Sequence, residues 1–294
     1  MYKKDKFHER KEEWSRVTDV LMCPPTYFRI EFKINPYMNP SDPRKQVNKH
    51  KALREWKCLY AALKKLGVRI HLLKPEKGIP DMVFPADLGF IVNPKICKRA
   101  VILSNFKWPE RQKETKYYER YLKTHRFELV RFPRTINYEI NVRETDNFYL
   151  LGYGIRNDLG GIKIFKKYSD KPVYSLRLIN PWFYHMSCAL AILNNDTVLY
   201  YPAAFDMNSN KLIEKLFKIK IIMKKNEAIN LTGNCIAING RIIINDLSRR
   251  LENIFDKLGL IWERVKLDEF KKAGGGANCM VFVLSKKWQK QVFS

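Results

Sequence analysis

The chain has 294 residues, 46% of them hydrophobic, and carries 55 lysines and arginines against 30 aspartates and glutamates, a formal charge of +25. No apolar run approaches the roughly 18 residues of a membrane span. The opening MYKKDKFHERKEEW mixes charge signs without an apolar stretch, which argues against a secretory signal and leads us to expect a soluble, intracellular protein, cytoplasmic or organellar.

In chain order, VTDVLMC (17–23) and YFRIEF (27–32) read as strands, and HKALREWKCLYAALKKLG (50–67) as a helix stopped by Gly67. VRIHLLK (68–74) is a strand, followed by the loop PEKGIPDMVFPAD (75–87). The order then returns, with LGFIVN and AVILSNF as strands, RQKETKYYERYLKTH as a helix and FELVRF as a strand. NFYLLGYG and a segment ending in PVYSLRLI form a further round. CALAILNNDTVLYYP, a helix over KLIEKLF, and IKIIMKK form another. The last contains CIAINGRIIIN, the helix LSRRLENIFDKLG, WERVKL and MVFVLS. NNDT and the Asn239-Gly240 pair are hairpin signals. Five strand, strand, helix, strand units of roughly 50 residues therefore tile residues 17–294, behind a basic extension over 1–16. That period predicts one modular α/β domain.

Six cysteines, Cys23, Cys58, Cys97, Cys188, Cys235 and Cys279, are scattered without a C-x-x-C pair, which argues against a zinc ribbon or a disulfide framework. No metal or cofactor is expected. Cys279 stands apart, because Gly274 to Gly276 precede it and the apolar run Met280 to Leu284 follows. That pattern describes a flexible loop presenting a thiol at the start of a buried strand. The competing reading is a small buried hydrophobe. The positive charge clusters at Lys3 to Lys11, Arg44 to Lys51, Lys163 to Lys171 and Lys215 to Lys225. It suits RNA or another polyanion as a partner, or lysine on solvated faces.

Segments GIPDMVFPADLGFI, GYGIRND, NPWFYHMSCALAIL and KAGGGANCM lie in different units at loop–strand junctions. In this order they resemble the guanidino-group-modifying superfamily of arginine deiminases, dimethylarginine dimethylaminohydrolases and amidinotransferases. The resemblance runs from MCPP to NCMVFV and is nearest the short hydrolase branch. It implies a five-bladed α/β propeller in which a cysteine thiolate attacks the guanidinium carbon of arginine or a methylated arginine. Hydrolysis or amidino transfer then proceeds through a covalent thiouronium. A guanidinium is a cation that only donates hydrogen bonds, so carboxylates must grip it; a thiol is activated by a nearby cation; and a histidine passes the proton.

Carried onto this chain, the resemblance makes Cys279 the nucleophile, His185 the acid/base and Asp87 the gripping carboxylate, with Asp81 beside it. Arg156 takes the place of the arginine that reads the substrate's α-carboxylate, Asn234 a polar place near the site, and Glu139 that of the second carboxylate. Three residues depart from the pattern. Ile140 stands where a glycine is expected after Glu139, and if that place needs positive φ, Glu139 would be displaced. Ser187 stands where many relatives carry aspartate, which would weaken the hold on unmodified arginine. Pro85 stiffens the loop before Asp87. The alternative to an enzyme is a catalytically impaired propeller serving as a basic structural or RNA-binding subunit.

Overall fold

The computed structural model describes residues 16–92 and 99–287. Lys3 to Lys11, Cys97 and all of the expected N-terminal extension except Arg16 lie outside them; Arg16 itself opens the first strand.

In chain order the first unit holds β1 (Arg16–Met22), α1 (Lys49–Lys65) and β2 (Arg69–Leu72). The second holds β3 (Gly89–Ile91), β4 (Ala100–Leu103), α2 (Pro109–Gln112), α3 (Thr115–Thr124) and β5 (Glu128–Arg131). The third holds β6 (Val142–Glu144), β7 (Tyr149–Tyr153), α4 (Leu159–Lys166) and β8 (Val173–Arg177). In the fourth are α5 (Met186–Ala189), β9 (Leu190–Asn194), β10 (Thr197–Tyr200), α6 (Met207–Leu216), β11 (Ile219–Ile222) and α7 (Lys225–Ile229). The last comprises β12 (Ile236–Ile238), β13 (Arg241–Ile244), α8 (Arg249–Lys257), β14 (Trp262–Arg264), α9 (Asp268–Lys271) and β15 (Phe282–Lys287).

These strands form five three-stranded sheets, the blades of an α/β propeller. Four blades share one plan, in which a hairpin joins the first two strands antiparallel and a helical crossover returns the third parallel to the second. Each crossover helix buries one apolar stripe, as α8 does with Leu251 and Phe255. The expected hairpin at Asn239-Gly240 is present, and both residues take positive φ, as a tight two-residue turn requires.

The remaining blade corrects the sequence reading. YFRIEF forms no strand. Its alternation is real, with Phe28 and Ile30 buried, but it is that of an extended segment draped over the core without a ladder partner. The place it was expected to fill belongs to β15, which pairs antiparallel with β1 across the whole sequence. MVFVLS thus closes the ring instead of ending the last unit. β6 and α4, which the sequence reading did not anticipate, complete the third blade.

Closure makes β1 a central strand, with β15 on one side and β2 on the other, and its Leu21 is fully buried opposite Phe282. We expect Leu21→Ala to lower the unfolding free energy by about 2–5 kcal/mol, the usual range for a large-to-small change in a packed core. Urea unfolding followed by circular dichroism measures this, and a loss below about 1 kcal/mol would mean that the β1–β15 contact contributes little.

Candidate active site

Residues from separate blades converge on a cavity of about 10 Å³, lined among others by Asp81, Phe84, Asp87, Arg111, Arg156 and Cys279. That is room for about one water molecule. Asp81 and Asp87 lie on two successive 3-10 turns, Pro80–Val83 and Pro85–Leu88, each opened by a proline whose missing N–H leaves no donor unsatisfied there. Pro85 therefore starts the turn that carries Asp87. Just before α5 is His185, and Glu139 precedes β6. All four side chains are buried.

His185 sits between two carboxylates. Its Nε2 lies 2.8 Å from Glu139 Oε2, and its Nδ1 lies 3.5 Å from Asp87 Oδ1. Glu139 also accepts from Arg156 Nη1 at 2.9 Å, and Arg156 together with His185 holds its carboxyl below the usual carboxylate range despite burial. Ile140 does not displace it. The residue has no positive φ, is buried, and donates its N–H to Ser104 Oγ at 2.8 Å, while Asn157 brackets the Glu139 backbone from both sides. The conditional expectation of a misplaced Glu139 is therefore not met, because the backbone here needs no glycine.

Around Cys279 the expected flexibility is absent. Gly274, Gly275 and Gly276 are buried; Gly274 takes a left-handed φ of +83°, and the other two are tightly packed. A Cβ on Gly275 would stand 2.2 Å from the Phe84 ring, and one on Gly276 would press on Asn234 at 3.0 to 3.1 Å. Asn234 organises the segment. Its Nδ2 donates to Cys279 Sγ at 3.1 Å, and its Oδ1 accepts from the N–H groups of Gly276 and Cys279 at 3.1 and 3.2 Å. Ser187 Oγ lies 4.0 Å from the sulfur. Burial, and next the charge of Asp87, push the thiol up to about 11 against the opposing pull of the Asn234 hydrogen bond. Without a further cation the sulfur is therefore protonated at neutral pH.

Arg156 does not face open space. Its Nη2 donates to the Ile34 carbonyl at 2.8 Å, Nη1 is engaged by Glu139, and the guanidinium lies 4.2 Å from the centre of the Tyr184 ring. Asp81 is buried with Oδ1 unpartnered, and desolvation raises its carboxyl to about 7.

The sequence reading missed Arg111 and Glu114. Arg111 Nη1 donates to Asp87 Oδ2 at 2.8 Å, and its Nε and Nη2 clasp Glu114 at 2.7 and 2.9 Å. The signal was an Arg and a Glu three apart in PERQKE, readable only as a helix-surface pair. Tyr184 was also missed; its hydroxyl donates to the Gly274 carbonyl at 2.8 Å and ties the His185 segment to the Cys279 loop. Among the described residues no group of three or more His, Cys, Asp or Glu is placed to hold a metal ion, and no helix is long and apolar enough to cross a membrane.

Comparison with known proteins agrees with this geometry. A family model described as N,N dimethylarginine dimethylhydrolase, eukaryotic, matches residues 24–146. The solved N-terminal domain of ArgZ, described as an arginine dihydrolase from the ornithine-ammonia cycle in cyanobacteria and bound to product, superposes with a TM-score of 0.85 at 32% identity. The match covers 92% of this chain and 98% of that one. The chain belongs to the guanidino-group-modifying superfamily. Two curated relatives are the bifunctional arginine dihydrolase/ornithine cyclodeaminases ArgZ of Synechocystis sp., 34% identical over 89% of this chain, and AgrE of Nostoc sp., 31% identical over 92%. The chain spans only 37% and 38% of their lengths. A third relative, the N(G),N(G)-dimethylarginine dimethylaminohydrolase of Mycobacterium tuberculosis, is 28% identical over 88% of this chain and 83% of its own. The five-bladed fold and the superfamily are as the sequence implied.

The raised carboxyl of Asp81 has a consequence for stability. A group whose folded pKa lies above its unfolded value, about 3.9 for aspartate, adds stability that is complete at low pH and lost as pH rises through the folded value, here about 7. Asp81→Asn should therefore gain on the parent steadily between about pH 4 and pH 7 and hold a constant margin above that. Urea titrations of both proteins across this window test it, and a margin independent of pH would mean that Asp81 is ionised in the fold.

Proposed function

We propose that the protein is a cysteine-dependent hydrolase of the guanidino C–N bond, acting on arginine or a methylated arginine. One observation carries this reading: Cys279 and Asp87 line one small buried cavity, and buried His185 and Glu139, from other parts of the sequence, follow Asp87 in a chain, His185 3.5 Å from Asp87 and 2.8 Å from Glu139. Such convergence of a thiol, a histidine and carboxylates is what the reaction requires. Solved relatives support the same chemistry, for the N-terminal domain of ArgZ has been captured covalently bound to a reaction intermediate.

In this mechanism the substrate's guanidinium enters beside Asp87, whose Oδ1 has no hydrogen-bond partner. Its positive charge is the cation the buried thiol lacks, so binding and ionisation of Cys279 are coupled. Sγ attacks the guanidinium carbon. The C–S bond forms as the C–N bond breaks, and His185 gives a proton to the departing ammonia or amine. Water then adds to the thiouronium carbon with His185 as base, and the C–S bond breaks to release the ureido product and the thiol. Glu139, hydrogen-bonded to Nε2 at 2.8 Å, orients the imidazole for both steps. An amine in place of this water would make the enzyme an amidinotransferase; a hydrolase is the reading taken here.

Ser187 leaves the thiol side of the cavity without a second carboxylate. That arrangement suits a methylated head group at least as well as an unmodified one. The cavity of about 10 Å³ must widen to admit either. The segment that covers it is held by few bonds: Arg156 to the Ile34 carbonyl at 2.8 Å and Asn35 Nδ2 to the Ala273 carbonyl at 3.0 Å.

Incubation with arginine and with mono- and dimethylarginine, read by amine release and by citrulline and ornithine, should show turnover. Cys279→Ser should lower kcat by on the order of 10³ or more, as loss of a covalent nucleophile does. His185→Gln should lower it comparably while leaving a thiol that alkylates. No turnover on the whole panel would overturn the assignment.

A further inference from the structure

Asn234 stands behind the sulfur and does not line the small cavity in front of it. It is fully buried, in the turn that follows α7. Its backbone is fixed at both ends: the N–H donates to the Leu231 carbonyl at 2.9 Å, and the carbonyl accepts from the Asn278 N–H at 3.1 Å. A Cβ on the preceding Gly233 would stand 3.2 Å from the Cys188 carbonyl oxygen, so the turn lies close against α5.

The side-chain amide fits in one orientation. Oδ1 accepts from the Gly276 N–H at 3.1 Å and the Cys279 N–H at 3.2 Å, and an amine turned that way would meet two donors. Nδ2 therefore faces the other side, where its two hydrogens find two acceptors, Cys279 Sγ at 3.1 Å and Ser187 Oγ at 3.3 Å. With every donor and acceptor of this buried amide engaged, the N–H cannot swing away from the sulfur without leaving a partner unmet.

We propose that Asn234 is a catalytic residue whose fixed Nδ2–H stabilises the negative charge on Cys279 Sγ. The proposal rests on the guanidino-hydrolase reading for its purpose, though its measurement needs no turnover. A hydrogen bond to an ionised acceptor is about twice as strong as one to a neutral acceptor, so this contact favours the thiolate over the thiol. It serves both ends of the reaction. Charge develops on sulfur when the thiol loses its proton before attack. It develops again when the C–S bond breaks and the electron pair returns to sulfur, each time beside a donor already in place. While sulfur is bonded to carbon it is neutral and gains less from the same donor, which is the difference that catalysis needs. The resemblance placed Asn234 only near the site; the geometry aims it at the nucleophile and not at the substrate.

The other groups acting on the sulfur are Asp87 from the turn Pro85–Leu88, Arg143 from β6, Tyr184 just ahead of α5 and Cys188 within it. All of them stay when Asn234 is changed. If Asn234 only holds the loop, its loss exposes the thiol, brings it toward an ordinary cysteine and quickens its alkylation. If it is the thiolate's donor, its loss leaves the buried sulfur with one stabilising contact fewer, and alkylation slows. The two roles differ in sign.

Iodoacetamide alkylation of Cys279 in the full chain, quantified by peptide mass at about pH 7 to 9.5, follows the thiolate. Asn234→Ala removes donor and acceptor together, whereas Asn234→Asp keeps an acceptor for the two loop N–H groups and removes the donor. Asn234→Ala should be alkylated about three- to tenfold more slowly than the parent at every pH, a range that allows for the higher nucleophilicity of a more basic thiolate. Asn234→Asp, which sets a carboxylate against the sulfur, should be slower still. On a guanidino substrate, Asn234→Ala should lower kcat by about 10²–10³ and leave KM nearly unchanged. If Asn234→Ala does not fold, Asn234→Asp decides. Alkylation as fast as the parent's or faster would overturn the proposal, as would a change confined to KM. A protein inactive on every guanidino substrate, yet slowed in alkylation by these changes, would refute the assigned activity and leave the role of Asn234 standing.

Discussion

The site depends on pairing each buried carboxylate beside His185 with a buried arginine. Asp87 and Glu139 flank His185 in the buried centre, and each is held by a buried arginine, Arg111 on the first and Arg156 on the second. Burial favours the neutral form of a lone carboxylate, and desolvation raises that of Asp81, with one oxygen unpartnered, to about 7. Arginines at hydrogen-bond distance supply the opposite charge that buried carboxylates need. Their second contacts then set the architecture, since Arg111 is fixed by both oxygens of Glu114 and Arg156 by the Ile34 carbonyl over a tyrosine face. The loops that carry the acids are thereby locked to the segments that cover them.

Ring closure serves the same end. Because β15 pairs with β1, the Cys279 loop, which ends at β15, is anchored against the first blade and not left as a tail. The Ala86 N–H donates to the Cys279 carbonyl at 3.1 Å, joining the Cys279 loop to the turn bearing Asp87, far apart in the sequence. A propeller gives each of several blades one functional position at its inner end, and such a site exists only once the ring is shut.

What the sequence made legible, and what it hid, follow from the range of the forces involved. Strands with an Asn-Gly turn, or a helix ended at Gly67 with φ +73°, are local choices written in neighbouring residues. Their fivefold return revealed the modules. The partner of β1 is not local, and YFRIEF, close by and alternating, was the natural but mistaken candidate. In the candidate site, Cys279, His185 and Asp87 could be singled out because each stands in a distinctive string. Arg111 was hidden because its partner Asp87 lies 24 residues away, and a charged pair at helical spacing reads as a surface feature. The Cys279 glycines were seen but misjudged. Sequence cannot distinguish a glycine needed for motion from one needed for space or for a left-handed turn; here Phe84 packs against Gly275, and Gly274 takes φ +83°.

In the proposed reaction, the paired arginines also constrain what a guanidinium substrate must bring. Both oxygens of Glu114 and one of Asp87 already accept from Arg111, and Oε2 of Glu139 accepts from Arg156. An incoming guanidinium therefore meets few free acceptors, chiefly Oδ1 of Asp87 and Oδ1 of Asp81. Affinity cannot come from a generous set of new ion pairs. It comes from relieving two unsatisfied buried oxygens and from the one charge the site lacks next to sulfur, the thiol being pushed up to about 11 while no cation is bound. A neutral ureido compound can still donate N–H groups to those oxygens but brings no charge to the sulfur, so loss of the guanidinium's charge favours release of the product.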